Sequence, residues 1–189
     1  QLILSAAGAI DHDALVKLAE TLFGDMAPAP VAPATPARFA MGERREARAL
    51  EQAHLAMAFE SPGYRDPAHF TAQIYATALG GGMSSRLFQE IREKRGLCYS
   101  VFAQSGAWAE TGLITLYAGT GGGQVHDLAT LMADELARAG RDMRADEVAR
   151  AKAQLRAGLL MGLESPSARA ERMARLVSIW GRVPDVAES

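Results

Sequence analysis

The chain has 189 residues, 49% of them apolar, and a formal net charge of -2, which is enough for one ordinary domain plus an appendage. The balanced charge, with no basic block and no acidic tail, argues against nucleic acid as a partner, and no apolar run is long enough to span a membrane. The single cysteine, Cys98, excludes an internal disulfide framework and a thiolate zinc cage; it reads as a small buried thiol, compatible with the cytoplasm more than the periplasm.

The chain starts at Gln1, without signal-peptide character, and enters a strand-like run from Leu2 to Gly8. Asp11 is placed to cap a helix with Leu15, Leu18, Ala19 and Leu22 on one face and Gly24 at its end. A lone strand and helix cannot bury both their faces, so residues 1–26 are expected to close a truncated N-terminal domain. The prolines between Ala27 and Ala37 favour extended geometry, and residues 27–43 read as a semi-rigid Pro/Ala-rich linker. A second domain is expected over 44–189. Its first strand candidates are a weak one at Arg45–Leu50 and a stronger one at Ala53–Phe59, with Leu55, Met57 and Phe59 on one side. His54 falls on the other side; no second ligand lies at a useful spacing, which favours a sheet-face histidine over a metal ligand. After the Ser61-Pro62-Gly63-Tyr64 turn, Asp66-Pro67 opens a helix with Phe70, Ile74, Thr77 and Ala78 as its expected inner face.

That helix runs into Gly80-Gly81-Gly82. Ser84 or Ser85 is placed to cap a short charged helix, with Leu87 and Ile91 on one face and Arg86, Glu90 and Lys94 on another. Gly96 supplies the stop, and Tyr99, Val101 and Ala103 then alternate with Ser100, Phe102 and Gln104 as in a strand. The reversal lets Arg92 and Tyr99 project from the same end of the fold. A guanidinium and a phenol together suit a carbonyl, a carboxylate or a developing oxyanion. Spacing by itself favours the plainer assignment, a solvated helix charge and a half-buried aromatic.

The strand from Tyr99 is expected to turn at Glu110-Thr111-Gly112 and return as Leu113–Ala118, a hairpin. Gly119-Thr120-Gly121-Gly122-Gly123 follows without the lysine and hydroxyl residue of a phosphate loop, so it reads as a strand-to-helix connection. Three helical patterns complete the chain, the last opened by Ser165-Pro166. Their arginines are interleaved with acids, as on a solvated face laced with ion pairs. The order implies an α+β fold: a mostly antiparallel sheet with helices packed on one face. Residues 183–189 look like the approach to a further element, so the second domain is expected to be truncated at its end.

The run from Leu79 to Val101, with its glycine turn, Ser85-Arg86-Leu87-Phe88 and Arg92…Gly96-Leu97-Cys98-Tyr99-Ser100-Val101, closely resembles the C-terminal half of pitrilysin/insulinase-type zinc metallopeptidases. Within that family the likeness is to the bacterial, mitochondrial-processing-peptidase-like branch. The family binds zinc through an inverted H-x-x-E-H motif in its N-terminal domain. None of His12, His54, His69 and His126 belongs to such a motif. The resemblance therefore implies the substrate-binding half of a metalloendopeptidase, with zinc held by an absent N-terminal domain and none in this chain. It implies that Arg92 and Tyr99 are the pair that holds the peptide substrate and stabilises the tetrahedral intermediate. Ser100 and the glycines Gly80, Gly81 and Gly82 become substrate-side candidates; the longer glycine loop of the processing peptidase's non-catalytic subunit is absent here. The expected partners are a peptide and a zinc-bearing half or partner subunit, and surfaces that faced such a half could support a homodimer. A non-catalytic subunit of a two-chain peptidase and a core-protein-like assembly subunit are the alternatives.

Overall fold

The computed structural model describes residues 2–27, 30 and 34–186. Part of the expected linker, residues 28–29 and 31–33, lies outside the described residues. The chain divides into two compact units, one formed by Pro36–Ala157 and the other by the segments on either side of it.

The Pro36–Ala157 unit is built on three antiparallel strands, β1 (Ala53–Ser61), β2 (Ser100–Ala107) and β3 (Gly112–Thr120), in the order β1-β3-β2. The expected hairpin is β2-β3, closed where the Trp108 N–H donates to the Thr111 carbonyl at 2.8 Å. Residues opposite one another share a face, and faces alternate along each strand. Leu55, Met57, Val101, Ala103, Leu116 and Ala118 therefore line one face, while His54, Ala56, Ser100, Phe102, Gln104 and Tyr117 line the other. Helices α2 (His69–Gly80) and α3 (Val125–Asp142) cover the first face. Leu79, Leu87, Ile91, Leu116, Leu128 and Met132 are fully buried between them. This is the α+β arrangement expected, with helices on one side of an antiparallel sheet.

Helix α2 turns inward a face that matches the expected one in part: Ala78 is buried and Ile74 and Thr77 are half-buried, but the large Phe70 is not inside. Phe70 is 49% exposed, whereas Ala72, Ala76, Leu79 and Gly80 are buried. Ala72, Ala76 and Gly80 form an i, i+4, i+8 row of small residues that lets the helix lie close against β2. A Cβ at Gly80 would stand 2.3 Å from the Ala103 nitrogen.

The charged segment after the glycines also departs from expectation. Neither serine side chain caps it: Ser85 Oγ is buried without a hydrogen bond among the described residues, and the turn is held by the Ser85 N–H donating to the Gly82 carbonyl at 3.0 Å. Phe88–Glu93 is wound as a π-helix, with the Lys94 N–H donating to the Gln89 carbonyl five residues back. Leu87 and Ile91 are buried as expected, and Glu90 pairs with Lys94. Arg86, expected beside that pair in solvent, is turned inward with 10% of its side chain exposed.

In the other unit, α1 (His12–Phe23) is capped by Asp11, whose Oδ1 accepts from the Ala14 N–H at 2.7 Å. Helix α5 (Pro166–Trp180) is capped by Ser165 and ends at Gly181 with φ +70°. Residues 2–7 and 45–50 are not paired as strands; an isolated extended run has no ladder partner for its amides. An apolar groove of about 540 Å³, lined by Leu4, Ile10, Leu15, Val16, Met173 and Val177 among others, lies within this unit. Helix α4 (Ala145–Glu164) carries the chain across the unit boundary.

Candidate functional site

The expected pair forms at the end of the sheet where β2 begins. Gly96, at φ +60°, takes the left-handed conformation that ends the π-helix. Its N–H donates to the Arg92 carbonyl at 3.0 Å, and the Leu97 N–H donates to the Ile91 carbonyl at 3.1 Å. These nested bonds span one residue more than a Schellman pair, which fits the widened turn before them. Thr120 Oγ1 then donates to the Leu97 carbonyl at 2.5 Å and the Tyr99 N–H to the Gly119 carbonyl at 3.3 Å. A helix end and a strand start are thereby pinned side by side.

The guanidinium carbon of Arg92 lies 4.7 Å from the Phe88 ring centre and 5.3 Å from that of Tyr99. Two aromatic faces hold the cation by its charge, and among the described residues it has no hydrogen-bond partner, so its five N–H donors are available to a ligand. Tyr99 is 77% exposed, an unusual setting for a ring of that size. Between them, Cys98 is buried in the core; burial pushes its thiol up, opposed by the Arg92 charge, which leaves an inert side chain and not a nucleophile.

Ser100 opens β2 on the uncovered face of the sheet, opposite Gly119, which is itself opposite His54. Gly80–Gly82 sit on the covered side. Gly80 packs on the Phe102–Ala103 backbone, the Gly81 carbonyl accepts from Gln154 Nε2 at 2.6 Å, and Gly82 faces the Gln154 amide. The fold thus brings Arg92, Tyr99 and Ser100 to one end of the sheet, while Gly80 packs on β2 at Phe102–Ala103 and Gly81 and Gly82 lie against Thr77 and Gln154.

Two groups of side chains were not singled out by the sequence. Across the open face, Phe102 stacks on Tyr117 at 5.0 Å and Tyr117 on His54 at 6.0 Å, with Tyr117 Oη 2.7 Å from His54 Nδ1. The strand alternation that placed His54 and Phe102 on the polar side was the available signal. The second group anchors the π-helix. Arg86 donates through Nε and Nη2 to the two carboxylate oxygens of Glu147, both at 2.7 Å, and also pairs with Asp142. Glu147 Oε2 additionally accepts from the Arg144 N–H at 2.8 Å. The hydrogen bond to Glu147 raises the Arg86 guanidinium above its already high range, and the same bond holds the Glu147 carboxyl below the usual carboxylate range. This long-range bidentate pair joins the start of the π-helix to the α3–α4 corner, a link no local spacing signals.

A zinc ion does not fit the described residues, which contain no group of three or more His, Cys, Asp or Glu side chains able to hold a metal. No described helix is long and apolar enough to cross a membrane.

A family model described as "Peptidase M16 inactive domain" matches residues 1–155. The chain is 36% identical over 189 residues to an uncharacterized zinc protease of Mycobacterium tuberculosis strain H37Rv, a match covering 96% of the chain and 43% of that protein. It is 37% identical over 190 residues to an uncharacterized zinc protease of Streptomyces coelicolor, covering 95% of the chain and 41% of that protein. Among solved structures, a chain of complex III2 from Candida albicans superposes with a TM-score of 0.76 at 25% identity, covering 95% of this chain and 45% of that one. The chain therefore spans less than half the length of these relatives.

Proposed function

The chain belongs to the peptidase M16 inactive-domain family, and from that premise we propose that it is the substrate-holding half of a zinc-dependent metalloendopeptidase, of the pitrilysin/insulinase and processing-peptidase-like kind. The observation that supports this most is the seating of Arg92 against Phe88 and Tyr99. As a peptide carbonyl becomes tetrahedral, negative charge gathers on its oxygen, and the Tyr99 O–H is the group that donates to it. Arg92, fixed between two rings, donates to neighbouring peptide carbonyls and orients the chain; a cation already positioned needs little reorganisation when substrate arrives. Ser100 extends that surface onto the open face of the sheet. Gly80 acts through shape, by letting α2 sit close against the Phe102–Ala103 backbone of β2, while Gly81 and Gly82 lie against Thr77 and Gln154.

Zinc is assigned to a complementary half, in keeping with the relatives' names. It would supply an activated water when bound there. Residues 1–26 are proposed to close the domain that precedes the linker 27–43, a reading supported by the unpaired run 2–7 and by Leu18 and Leu22, 53% and 63% exposed on α1. The superposition on a complex III2 chain favours, as a second reading, a subunit whose task is assembly; the retained Arg92–Tyr99 packing weighs against it.

Zinc titration and peptide hydrolysis by the complete protein, alone and with the product of the neighbouring gene, separate the readings. Zinc binding accompanied by hydrolysis that falls when Tyr99 is replaced by Phe supports the peptidase half. Hydrolysis only with the neighbour's product makes the protein a partner subunit, and neither zinc nor hydrolysis in any combination leaves the assembly role.

A further inference from the structure

Tyr99 has little packing to hold its side chain, which stands 77% exposed with Arg92 against the ring. Its place is therefore set by its backbone, and the β2 ladder begins only at Ser100, opposite Gly119. Between the last turn of the π-helix and that ladder, the chain is tied at three points. The Leu97 N–H donates to the carbonyl of Ile91, the residue before Arg92, at 3.1 Å. The Leu97 carbonyl accepts from Thr120 Oγ1 at 2.5 Å, and the Tyr99 N–H donates to the Gly119 carbonyl at 3.3 Å. Leu97 thus joins the helix end to the sheet through the two sides of its own backbone, and its joint to the sheet is a side-chain bond.

Thr120 ends β3 on the covered face, in the row of Leu116 and Ala118, and is 3% exposed. Valine has the same shape and would fill that place with no polar atom to satisfy. A buried hydroxyl costs free energy unless it is bonded, and this one has a single proton to give. Gln124 Oε1 is 3.4 Å away, so the nearer Leu97 carbonyl takes the proton. Without the hydroxyl, that carbonyl loses this donor, and the corner is tied to β3 by the longer Tyr99 N–H bond.

We propose that Thr120 is a positioning residue for the Arg92–Tyr99 pair, its hydroxyl fixing the Leu97 carbonyl so that the phenol stands at the reacting carbonyl with the guanidinium beside it. The role rests on the reading of Tyr99 as an oxyanion donor, and it adds to that reading a buried residue that touches no substrate.

Steady-state peptide hydrolysis by the complete protein, with its partner subunit where hydrolysis requires one, tests this. Thr120→Val is expected to lower kcat about tenfold, less than the roughly hundredfold cost of a full 1 Å misplacement, with a smaller rise in KM. Thr120→Ser keeps the hydroxyl and is expected to restore most of kcat. In a Tyr99→Phe background, the Thr120→Val change is expected to leave kcat nearly unaltered, because the group it positions is gone. A loss of folded protein scales both backgrounds by one factor, so a merely structural threonine gives equal falls in the two. Equal falls, an unchanged kcat in Thr120→Val, or a Thr120→Ser protein as slow as Thr120→Val overturns the positioning role and leaves Tyr99 its own. If the valine variant does not fold, Thr120→Ala takes its place in the cycle with the same outcomes. Hydrolysis that is absent from the wild-type protein, or indifferent to Tyr99→Phe, overturns the oxyanion reading and the role of Thr120 with it.

Discussion

Arg86 and Arg92 stand six positions apart on one short helix and differ in the company each keeps. Arg86 is turned inward onto the carboxylates of Glu147 and Asp142, where removal of one partner leaves a charge in poor contact with water. Arg86→Met is expected to cost about 2–3 kcal/mol, discounted for the partial solvent access of the site, with Glu147→Gln in the same chain recovering part of it. Urea titration of the three proteins measures this. Because Glu147 is held below the ordinary carboxylate range, the unfolded chain takes up its proton first as acid is added. The stabilisation is whole above about pH 5 and is lost as pH falls through the folded value. The gap between wild type and Arg86→Met should therefore be widest near neutrality and narrow as pH falls below the ordinary glutamate range. Arg92 is held by rings and leaves its donors outward. Under the proposed function, Tyr99→Phe in the complete protein is expected to lower kcat by about ten- to a thousandfold, the cost of one oxyanion donor. Arg92→Ala is expected to raise KM, and steady-state kinetics on a peptide ester and its amide reads both. Unchanged kcat in Tyr99→Phe would remove the phenol from the reaction.

At the scale of elements, what could be read from the sequence depended on whether packing followed the large apolar residues. The β2-β3 hairpin, with its strict alternation and glycine turn, and α5, with Ser165-Pro166 ahead of it, were legible because their signals are local. The face of α2 was legible only in part, since Ala72, Ala76 and Gly80 carry little hydrophobic weight and matter only through the closeness they permit. The π-turn left no periodicity to read, because it adds one residue to a turn without altering its composition. Arg92 and Tyr99 could be placed at one end of the fold, and Phe88, four residues before Arg92, was the helical neighbour whose ring the spacing also offered to the cation. Gly80→Ala is expected to destabilise by about 1–3 kcal/mol, since the methyl would strike β2 backbone. Gly158→Ala and Gly162→Ala on α4 have open space at the same atom, and each is expected to stabilise by up to about 1 kcal/mol from helix propensity. Thermal melts of the three variants should move in opposite directions.

For the molecule as a whole, the uncovered side of the sheet and the apolar groove along α1 and α5 are surfaces of a kind usually matched by other protein. Expression of residues 1–189 alone is expected to give a self-associating species, most simply a dimer, by light scattering; a monomer at high concentration would count against these faces being interfaces. The order of the strands has a further consequence, for how the site comes into being. β2 and β3 are joined by a four-residue loop and need little loop closure to pair, whereas β1 must bring Ala53 to Thr120 across the whole of α2 and the π-helix. Local pairings form ahead of distant ones, so the hairpin is expected to belong to the folding nucleus, with φ-values high along β2-β3 and near zero in β1. Tyr99 and Gly119 then find each other early. His54 meets Tyr117 only as the last strand zips, and a chain caught before that step carries the arginine–tyrosine pair on a two-stranded ribbon whose open face still lacks its histidine.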